Sequence, residues 1–553
     1  MSGKRARANP APQSNRRSGT AFLASAWPAL LPWLLVVGLP TGLLAFDAIV
    51  ALFGPAPKEA LSMVLLSGRR LSLFFQTVAF AGTVAVLGSL VGLLAAGAVR
   101  FGQARPLRLL TLLVVPMAVL PPHIHALAWT AVLREANRGL RTLSALMGLS
   151  AASVLHLPEQ GFAVSVWVQA MALLPFAVGI LLLGFRSLPD EVPDAARVLG
   201  SGQRMALRIL LPISAPALAT AFSFLFLVSL LDYSVPSLFQ LNLYSLDIFS
   251  EYSIRYDGAA AFLLSVPMLA VSLPAAWLLQ RSLRGMPLSP GRIAENPLPL
   301  RLPLWLRALV GGALLVVALQ CLMPVAALSF VSVGAFSDAG WLVDALPDMA
   351  GSLGTGILSA CITLPPALAA ASALHRRKSG HDAWWPVLML PLAMPAPLIG
   401  VGLIRVWNGA ALGWTGLYNT LLMPALACTL RFLPFSVLLL LAAMRRQDPL
   451  LADAARLLQR NRLHGLLHVR LPLLAPSITG AALLATVLSF GELGATLLLI
   501  PPGTGSLTVK IYNYLHYGQS DIVAGLGLIL FVASLASGSL LARLAGRRTR
   551  RLS

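Results

Sequence analysis

Long apolar runs separated by short basic segments dominate the chain between residues 21 and 544. Uncharged stretches such as 71–99 and 161–185 exceed the roughly 20 helical residues that cross a hydrocarbon core about 30 Å thick. The pattern predicts an all-α polytopic membrane protein with about twelve transmembrane helices. The predicted spans are residues 28–51, 71–98, 109–132, 162–185, 213–238, 259–280, 304–330, 353–374, 385–406, 417–443, 474–500 and 522–544.

Composition excludes several other classes of protein. Of the 553 residues, 57% are hydrophobic and only 11% are charged, whereas about 25% are charged in an average soluble domain. The net charge of +21 therefore does not indicate a soluble nucleic-acid-binding protein, and the apolar content excludes a disordered chain. The three cysteines, Cys321, Cys361 and Cys428, form neither a C-x-x-C pair nor a disulfide framework.

The N-terminal region has the charge layout of a signal peptide, with a basic segment before an apolar one. Its apolar run is longer than the roughly 7–15 residues of a signal-peptide core, and no small-residue cleavage site follows it. We therefore expect the first span to be an uncleaved anchor helix.

Most of the 41 Lys and Arg residues fall on one side of the predicted membrane when the N-terminus is placed in the cytoplasm. Cytoplasmic loops carry an excess of these residues. The distribution predicts a multi-pass protein of the bacterial inner (plasma) membrane, in contact with lipid, with both termini cytoplasmic.

The segment after the fourth predicted span recurs after the tenth. The first copy contains Asp194-Ala195-Ala196, then Gly200, and ends in Leu211-Pro212. The second contains Asp453-Ala454-Ala455, then Gln459, and ends in Leu471-Pro472. Twenty residues after each proline stands one acid, Asp232 or Glu492, expected within an apolar helix. Six spans in each half make the two repeats parallel, so a substrate path is expected at the interface between the halves.

The repeat predicts a division of the chain into two halves. The predicted units are a basic tail (1–20), a first half (21–283, core 71–283), a cytoplasmic linker (284–303), a second half (304–544, core 350–544) and a second basic tail (545–553).

Each repeated loop is suited to binding another protein in water. An acid followed by alanines favours the start of a short helix, and the alanines leave a smooth face for close approach. The final proline is tolerated in the first turn of the next span. The alternative is a basic loop that only fixes topology, and two copies at matched positions argue against it.

These loops resemble those of the permease subunits of type I ABC importers, whose signature reads Glu-Ala-Ala, then Gly, then Leu-Pro. Asp194 and Asp453 replace the Glu here, and Gln459 replaces the second Gly. The resemblance covers about 71–283 and 350–544, and leaves the first and seventh helices as extra peripheral spans. It implies that each loop forms a coupling helix on one of two separate ATP-binding cassette ATPase subunits. It also implies an external substrate-binding protein.

Other segments resemble the fused double permeases of ferric-iron uptake. They are LPPHIHALAW (120–129), LIRVWN (403–408), RFLPF (431–435) and FGELGATLLLIPPGTGSLTVKIYNYLHYG (490–518). The segments also resemble those of fused thiamine permeases and, less closely, those of polyamine permeases. The resemblance implies import of ferric iron, with thiamine, polyamine or another small solute as alternatives.

The sequence contains no phosphate-binding G-x-x-x-x-G-K-[ST] motif and no H-E-x-x-H or G-x-S-x-G motif. We therefore expect no catalytic residues and no cofactor in this chain, with ATP and Mg²⁺ bound by the partner ATPase subunits. No nucleic-acid partner is expected. A secondary transporter driven by an ion gradient is an alternative of another class, which explains the repeats but not the paired loops.

Ionisable residues within the bilayer are costly and are functional candidates. Asp232 and Glu492 are predicted to line the translocation path or its gate, with local capping as the alternative. Arg431 is expected to pair with a carboxylate. His123 and His125, two residues apart, are expected to be satisfied by polar packing, and no metal site is predicted. Three outer acids, Asp338, Asp344 and Asp348, are expected in a solvated loop.

Overall fold

The computed structural model describes most of the apolar part of the chain. The described residues are 33–101, 113–114, 117–118, 120–148, 156–186, 208, 211–286, 302–337, 340–376, 384–409, 415–447, 450, 462–517, 521–533 and 535–536. Every regular element among them is helical, which confirms the predicted all-α class.

The first half contains seven principal helices among the described residues. They are α1 (Leu39–Phe53), α2 (Gly68–Phe101), α3 (Pro122–Leu146), α4 (Phe162–Arg186), α5 (Leu211–Leu231), α6 (Tyr244–Arg255) and α7 (Gly258–Gly285). A π-helical turn, Leu34–Gly38, precedes α1, and short helices lie at Pro57–Val64 and Ser234–Leu238.

The second half repeats this order. Its principal helices are α8 (Leu304–Val331), α9 (Gly340–Arg376), α10 (Trp384–Ala393), α11 (Ala396–Trp407), α12 (Leu422–Arg445), α13 (Leu471–Ser489), α14 (Leu507–His516) and α15 (Asp521–Ala533). Shorter helical segments lie at Ala335–Ser337, Leu417–Asn419, Arg462–Gly465, Leu466–Arg470 and Thr496–Leu499.

Eight helices of the described chain are long and apolar enough to cross a membrane: α2, α4, α5, α7, α8, α9, α12 and α13. The pair α10 and α11 passes the same test together but is bent by 102°. Two shorter apolar helices, α1 and α15, lie where the first and last spans are predicted. The helices therefore follow the predicted order, although several boundaries differ.

The third and ninth predicted spans, 109–132 and 385–406, are wrong as straight helices. A proline interrupts each at a matched place: Pro121 has φ −56° and ψ 143°, and Pro395 has φ −56° and ψ 136°. Proline lacks an N–H and disfavours the helical conformation for the residue before it. Helices α3 and α11 begin directly after these breaks, and the charged residues Arg134, Glu135 and Arg138 follow in α3.

The fifth and eleventh predicted spans, 213–238 and 474–500, also extend too far. Helix α5 ends at Leu231 and α13 at Ser489, so Asp232 and Glu492 follow helices instead of lying within them. Their carboxylates accept hydrogen bonds from nearby backbone N–H groups, which is an alternative to continuing the helix. Asp232 Oδ1 accepts from Ser234 N and Glu492 Oε1 from Ala495 N, both at 3.0 Å.

Each half is built around three mutually packed helices. Helices α2, α4 and α5 pack together in the first half, as α9, α12 and α13 do in the second. Glycines allow close contact in both cores. A Cβ on Gly92 of α2 would lie 2.9 Å from Ala177 Cβ of α4, and one on Gly356 of α9 would lie 3.0 Å from the Thr486 carbonyl oxygen of α13.

Helices α1 and α8, expected at the periphery, each connect the two halves. Helix α1 packs on α7 of its own half and on α11 of the other, where a Cβ on Gly402 would lie 3.0 Å from Pro40 Cβ. Asp47 of α1 also accepts a 2.6 Å hydrogen bond from Arg405 of α11. Helix α8 packs on α2 and α3 of the first half. The two extra helices therefore hold the halves together in a crossed arrangement.

Candidate functional site

A cavity of about 160 Å³ lies between the two halves. Its wall combines the two proline breaks with the two segments that follow α5 and α13, so matched parts of both repeats face it. Broken helices and helix ends bring backbone groups and polar side chains into an otherwise apolar bundle, as at the binding sites of many transporters. This cavity is the candidate functional site.

The strongest polar contact at the cavity joins Arg431 of α12 to Glu492. One guanidinium nitrogen, Arg431 Nη1, lies 2.9 Å from Glu492 Oε2 and 3.0 Å from Oε1. The Glu492 side chain is 3% exposed and that of Arg431 is 25% exposed. Arg431 was predicted to pair with a carboxylate inside the bundle, and this prediction is confirmed.

Asp232 occupies the corresponding position of the first half. Its Oδ1 atom accepts hydrogen bonds from the backbone N–H of Ser234 at 3.0 Å and from the Ser234 hydroxyl at 2.7 Å. Its Oδ2 atom is buried and has no hydrogen-bond partner among the described residues. The turn therefore uses only one of the two carboxylate oxygens.

Tyr233, which the sequence analysis missed, lines the same cavity as these acids. The residue is 3% exposed, and its ring stacks on Phe249 of α6 with the centroids 5.5 Å apart. Its hydroxyl is buried without a hydrogen-bond partner in the described part of the chain. The only signal in the sequence was its position next to Asp232.

Four phenylalanines form an apolar wall of the same cavity and cross from one half to the other. The ring of Phe224 in α5 lies 5.4 Å from that of Phe176 in α4 and 5.9 Å from that of Phe435 in α12. Phe432 completes the series, 6.5 Å from Phe435. Phe435 stands one helical turn after Arg431, so the charged and aromatic parts of the wall are adjacent.

The structure thus brings both predicted path residues, Asp232 and Glu492, to one cavity. Their role in a path or gate stays a prediction. Leu211 and Pro212 are the first residues of α5, and Leu471 and Pro472 are those of α13, which the π-helical turn Leu466–Arg470 precedes. Their part in coupling stays a prediction. The other loop residues lie outside the described residues: Asp194, Ala195, Ala196, Gly200, Asp453, Ala454, Ala455 and Gln459.

The two histidines are buried in the first turn of α3. Gln320 Nε2 of α8 lies 3.3 Å from His125 Nδ1, but the Nε2 atoms of His123 and His125 have no hydrogen-bond partner among the described residues. Polar packing therefore reaches His125 through Gln320, and the expectation that both rings are satisfied by polar packing stays a prediction. Across the described ranges, no group of three or more His, Cys, Asp or Glu residues could hold a metal ion.

Two of the three outer acids lie in a helix instead of the expected loop. Asp344 and Asp348 lie in α9, and Lys510 Nζ donates to the Asp344 carbonyl at 2.6 Å and to Asp348 Oδ2 at 2.7 Å. Asp338 lies outside the described residues. Asp344 is exposed as expected, whereas Asp348 forms a half-buried ion pair between α9 and α14.

Comparison with known families shows which family this chain belongs to. The profile of the family described as "Binding-protein-dependent transport system inner membrane component" matches the chain twice, at residues 88–286 and 366–551. The chain belongs to this family. It is a fused double permease, with one family domain in each half.

Individual relatives of the permease carry different substrate names. This chain is 30% identical over 216 residues to a protein of Salmonella typhimurium named as a 2-aminoethylphosphonate transport system permease. The match covers 39% of this chain and 78% of that protein. This chain is 23% identical over 450 residues to a ferric transport system permease of Actinobacillus pleuropneumoniae, covering 76% of this chain and 63% of that one. A protein of Haloferax volcanii named as a molybdenum ABC transporter permease is 30% identical over 165 residues, 29% of this chain and 60% of the relative.

Proposed function

We propose that this permease forms the translocation path of an ATP-driven importer for ferric iron, and that the central cavity is part of that path. The observation that carries the proposal is the position of the cavity, since matched breaks of both repeats meet there. Motion of one half against the other would open it to alternate sides of the membrane.

Iron is favoured as cargo by the extent of one likeness. The ferric relative is similar over 76% of this chain, a length that must include parts of both halves, whereas the phosphonate relative covers 39%. Thiamine, a polyamine, a phosphonate or molybdate are the alternative cargoes for the same machinery.

Two ATP-binding cassette subunits are the proposed motor. They bind ATP and Mg²⁺ and dock on the cytoplasmic loops that contain Asp194-Ala195-Ala196 and Asp453-Ala454-Ala455. These loops lead directly into α5 and α13, whose far ends carry Asp232 and Glu492 at the cavity. Closure of the ATPases therefore pulls on the helices that form the cavity wall. A binding protein delivers cargo to the opposite side of the inner membrane, and both termini are cytoplasmic.

Docking is tested by co-purification of the permease with its ATPase subunit. Ala196→Arg and Ala455→Arg place a bulky charge on the smooth faces, and each is expected to weaken recovery of the ATPase. Ala104→Arg is the matched control, because Ala104 lies in a predicted cytoplasmic loop without the motif. Wild-type permease that retains no ATPase, yet transports under an ion gradient, would favour the secondary transporter.

Cargo is tested by uptake into cells that express the complete transport system. Radiolabelled ferric iron, thiamine, 2-aminoethylphosphonate and molybdate are supplied separately. We expect saturable, ATP-dependent uptake of iron alone. Uptake of another solute without iron uptake contradicts the iron assignment.

A further inference from the structure

The charged side chains that line the central cavity do not balance one another. Among the described residues they are Asp232, Glu492 and Arg431. Arg431 lies 2.9 Å from Glu492 and balances its charge. One carboxylate, that of Asp232, remains without a cation in the described lining.

The internal repeat shows at which position the first half lacks a cationic residue. Helices α4 and α12 share a Leu-Pro-Phe sequence, at 174–176 and 433–435. Three residues before the proline, α12 has Arg431, whereas α4 has Ala172, and both residues line the cavity. The first half therefore retains the acid of the repeat but lacks its arginine.

Asp232 and its neighbour present two oxygen atoms without hydrogen-bond partners in the described chain. These are Asp232 Oδ2 and the Tyr233 hydroxyl. A buried polar atom left without a hydrogen-bond partner is costly, so these two atoms call for an explanation.

We propose that Asp232 Oδ2 and the Tyr233 hydroxyl form a transient site for positively charged cargo crossing the cavity. The proposal rests on the proposed function, and it adds the sign of the cargo charge and the residues that contact it. Both oxygens are shielded from solvent in this conformation. Cargo would reach them when the two halves separate.

The ligand chemistry fits a cation in transit. Carboxylate and phenol oxygens suit hard metal cations, and the carboxylate also pairs with an organic cation. Two ligands make a weak site, and a transport path needs sites that bind cargo but also release it. A molybdate anion would instead meet an unneutralised carboxylate, whereas 2-aminoethylphosphonate carries an ammonium group that could pair with it.

The test uses the complete transport system and begins with the four solutes named above. Asp232→Asn keeps an oxygen that can accept from Ser234, so the turn is preserved while the charge is removed. We expect it to slow uptake of the cationic cargo roughly tenfold. Asp232→Glu is expected to restore much of the rate, and Tyr233→Phe to give an intermediate rate. Glu135→Gln, in an exposed ion pair, is the control and should transport normally.

A second readout separates a cargo contact from a structural role. ATP hydrolysis stimulated by the loaded binding protein should persist in the reconstituted Asp232→Asn complex although cargo transport falls. Uptake of thiamine or 2-aminoethylphosphonate without iron uptake refutes the iron assignment, and Asp232→Asn must then slow uptake of that solute, which also carries a cationic nitrogen. Transport of molybdate alone, normal transport by Asp232→Asn, or failure of both Asp232 variants to assemble would each overturn the site.

Discussion

The side-chain oxygen of Thr77 in α2 accepts a 2.9 Å hydrogen bond from the backbone N–H of Tyr244, the first residue of α6. The second half contains the same contact: Ser352 of α9 accepts a 2.8 Å bond from the N–H of Leu507, the first residue of α14. The first N–H groups of a helix have no partner within it, and neither α6 nor α14 is capped by its own N-cap side chain. A hydroxyl of the long helix therefore fixes the start of the shorter one in both repeats.

Thr77→Val keeps the shape of the side chain and removes this acceptor. We expect a loss of about 1 kcal/mol in stability and faster amide hydrogen exchange at the start of α6. Thermal unfolding and exchange mass spectrometry measure the two effects. Thr83→Val is the control, since the Thr83 hydroxyl donates to the Ala79 carbonyl within its own helix. Equal exchange in the two variants would show that the hydroxyl does not hold α6.

A second contact occurs at matched places in both halves, but the positive residue is on the long helix in the first half and on the short helix in the second. Arg70 of α2 lies 3.5 Å from Asp247 of α6, whereas Asp348 of α9 lies 2.7 Å from Lys510 of α14. Lys510→Asp places two carboxylates together and is expected to cost about 1–2 kcal/mol. The double variant Asp348→Lys/Lys510→Asp should recover part of the lost thermal stability. If the double variant is no more stable than Lys510→Asp, the attraction between the two charges adds nothing to thermal stability beyond the packing of the lysine's hydrocarbon chain.

The Arg431–Glu492 pair is expected to show strong coupling. Removing one member of a buried pair leaves the other uncompensated, at about 3–5 kcal/mol when burial is complete. Arg431 is 25% exposed, so Arg431→Met and Glu492→Gln are each expected to cost less than this. A double-mutant cycle in thermal unfolding should show the two losses to be non-additive. Arg138→Met removes a member of an exposed pair and should change stability by less than about 1 kcal/mol.

Close packing of α4 against α5 depends on Gly184. A Cβ at this position would overlap Ala217 Cβ, whereas one at Gly179 of the same helix would meet nothing within 4 Å. Gly184→Ala is expected to destabilise the protein by about 1–3 kcal/mol by forcing the helices apart. Gly179→Ala should be neutral or slightly stabilising, because alanine favours a helix. Similar unfolding temperatures for the two variants would contradict this account.

Much of the fold could be predicted because apolar periodicity and length report directly on membrane helices. The breaks were harder. Pro121 and Pro395 stand at breaks, directly before α3 and α11, while Pro175 and Pro434 lie inside α4 and α12, so proline alone does not fix a boundary. Neighbouring helices in a membrane can compensate for the hydrogen bond that a proline removes. Where they do not, the helix breaks, and only tertiary packing distinguishes the two cases.

The candidate site was predictable in part for the same reason. Asp232 and Glu492 stand out as acids in apolar surroundings, and the offset of 260 residues pairs them. Arg431 was expected to have a carboxylate partner, but nothing local identifies Glu492, 61 residues away. No sequence pattern identified Tyr233, because its significance comes from the cavity around it.

The class of protein, the order of its helices and the doubling of its domain could be predicted, since these depend on composition and on residues close along the chain. Tertiary packing was needed to show that α1 and α8 join the halves, that Arg431 meets Glu492, and that Asp232 and Tyr233 keep oxygens without partners in the described chain. Those outcomes depend on which surfaces remain to be buried and which charges remain to be neutralised once distant helices pack together.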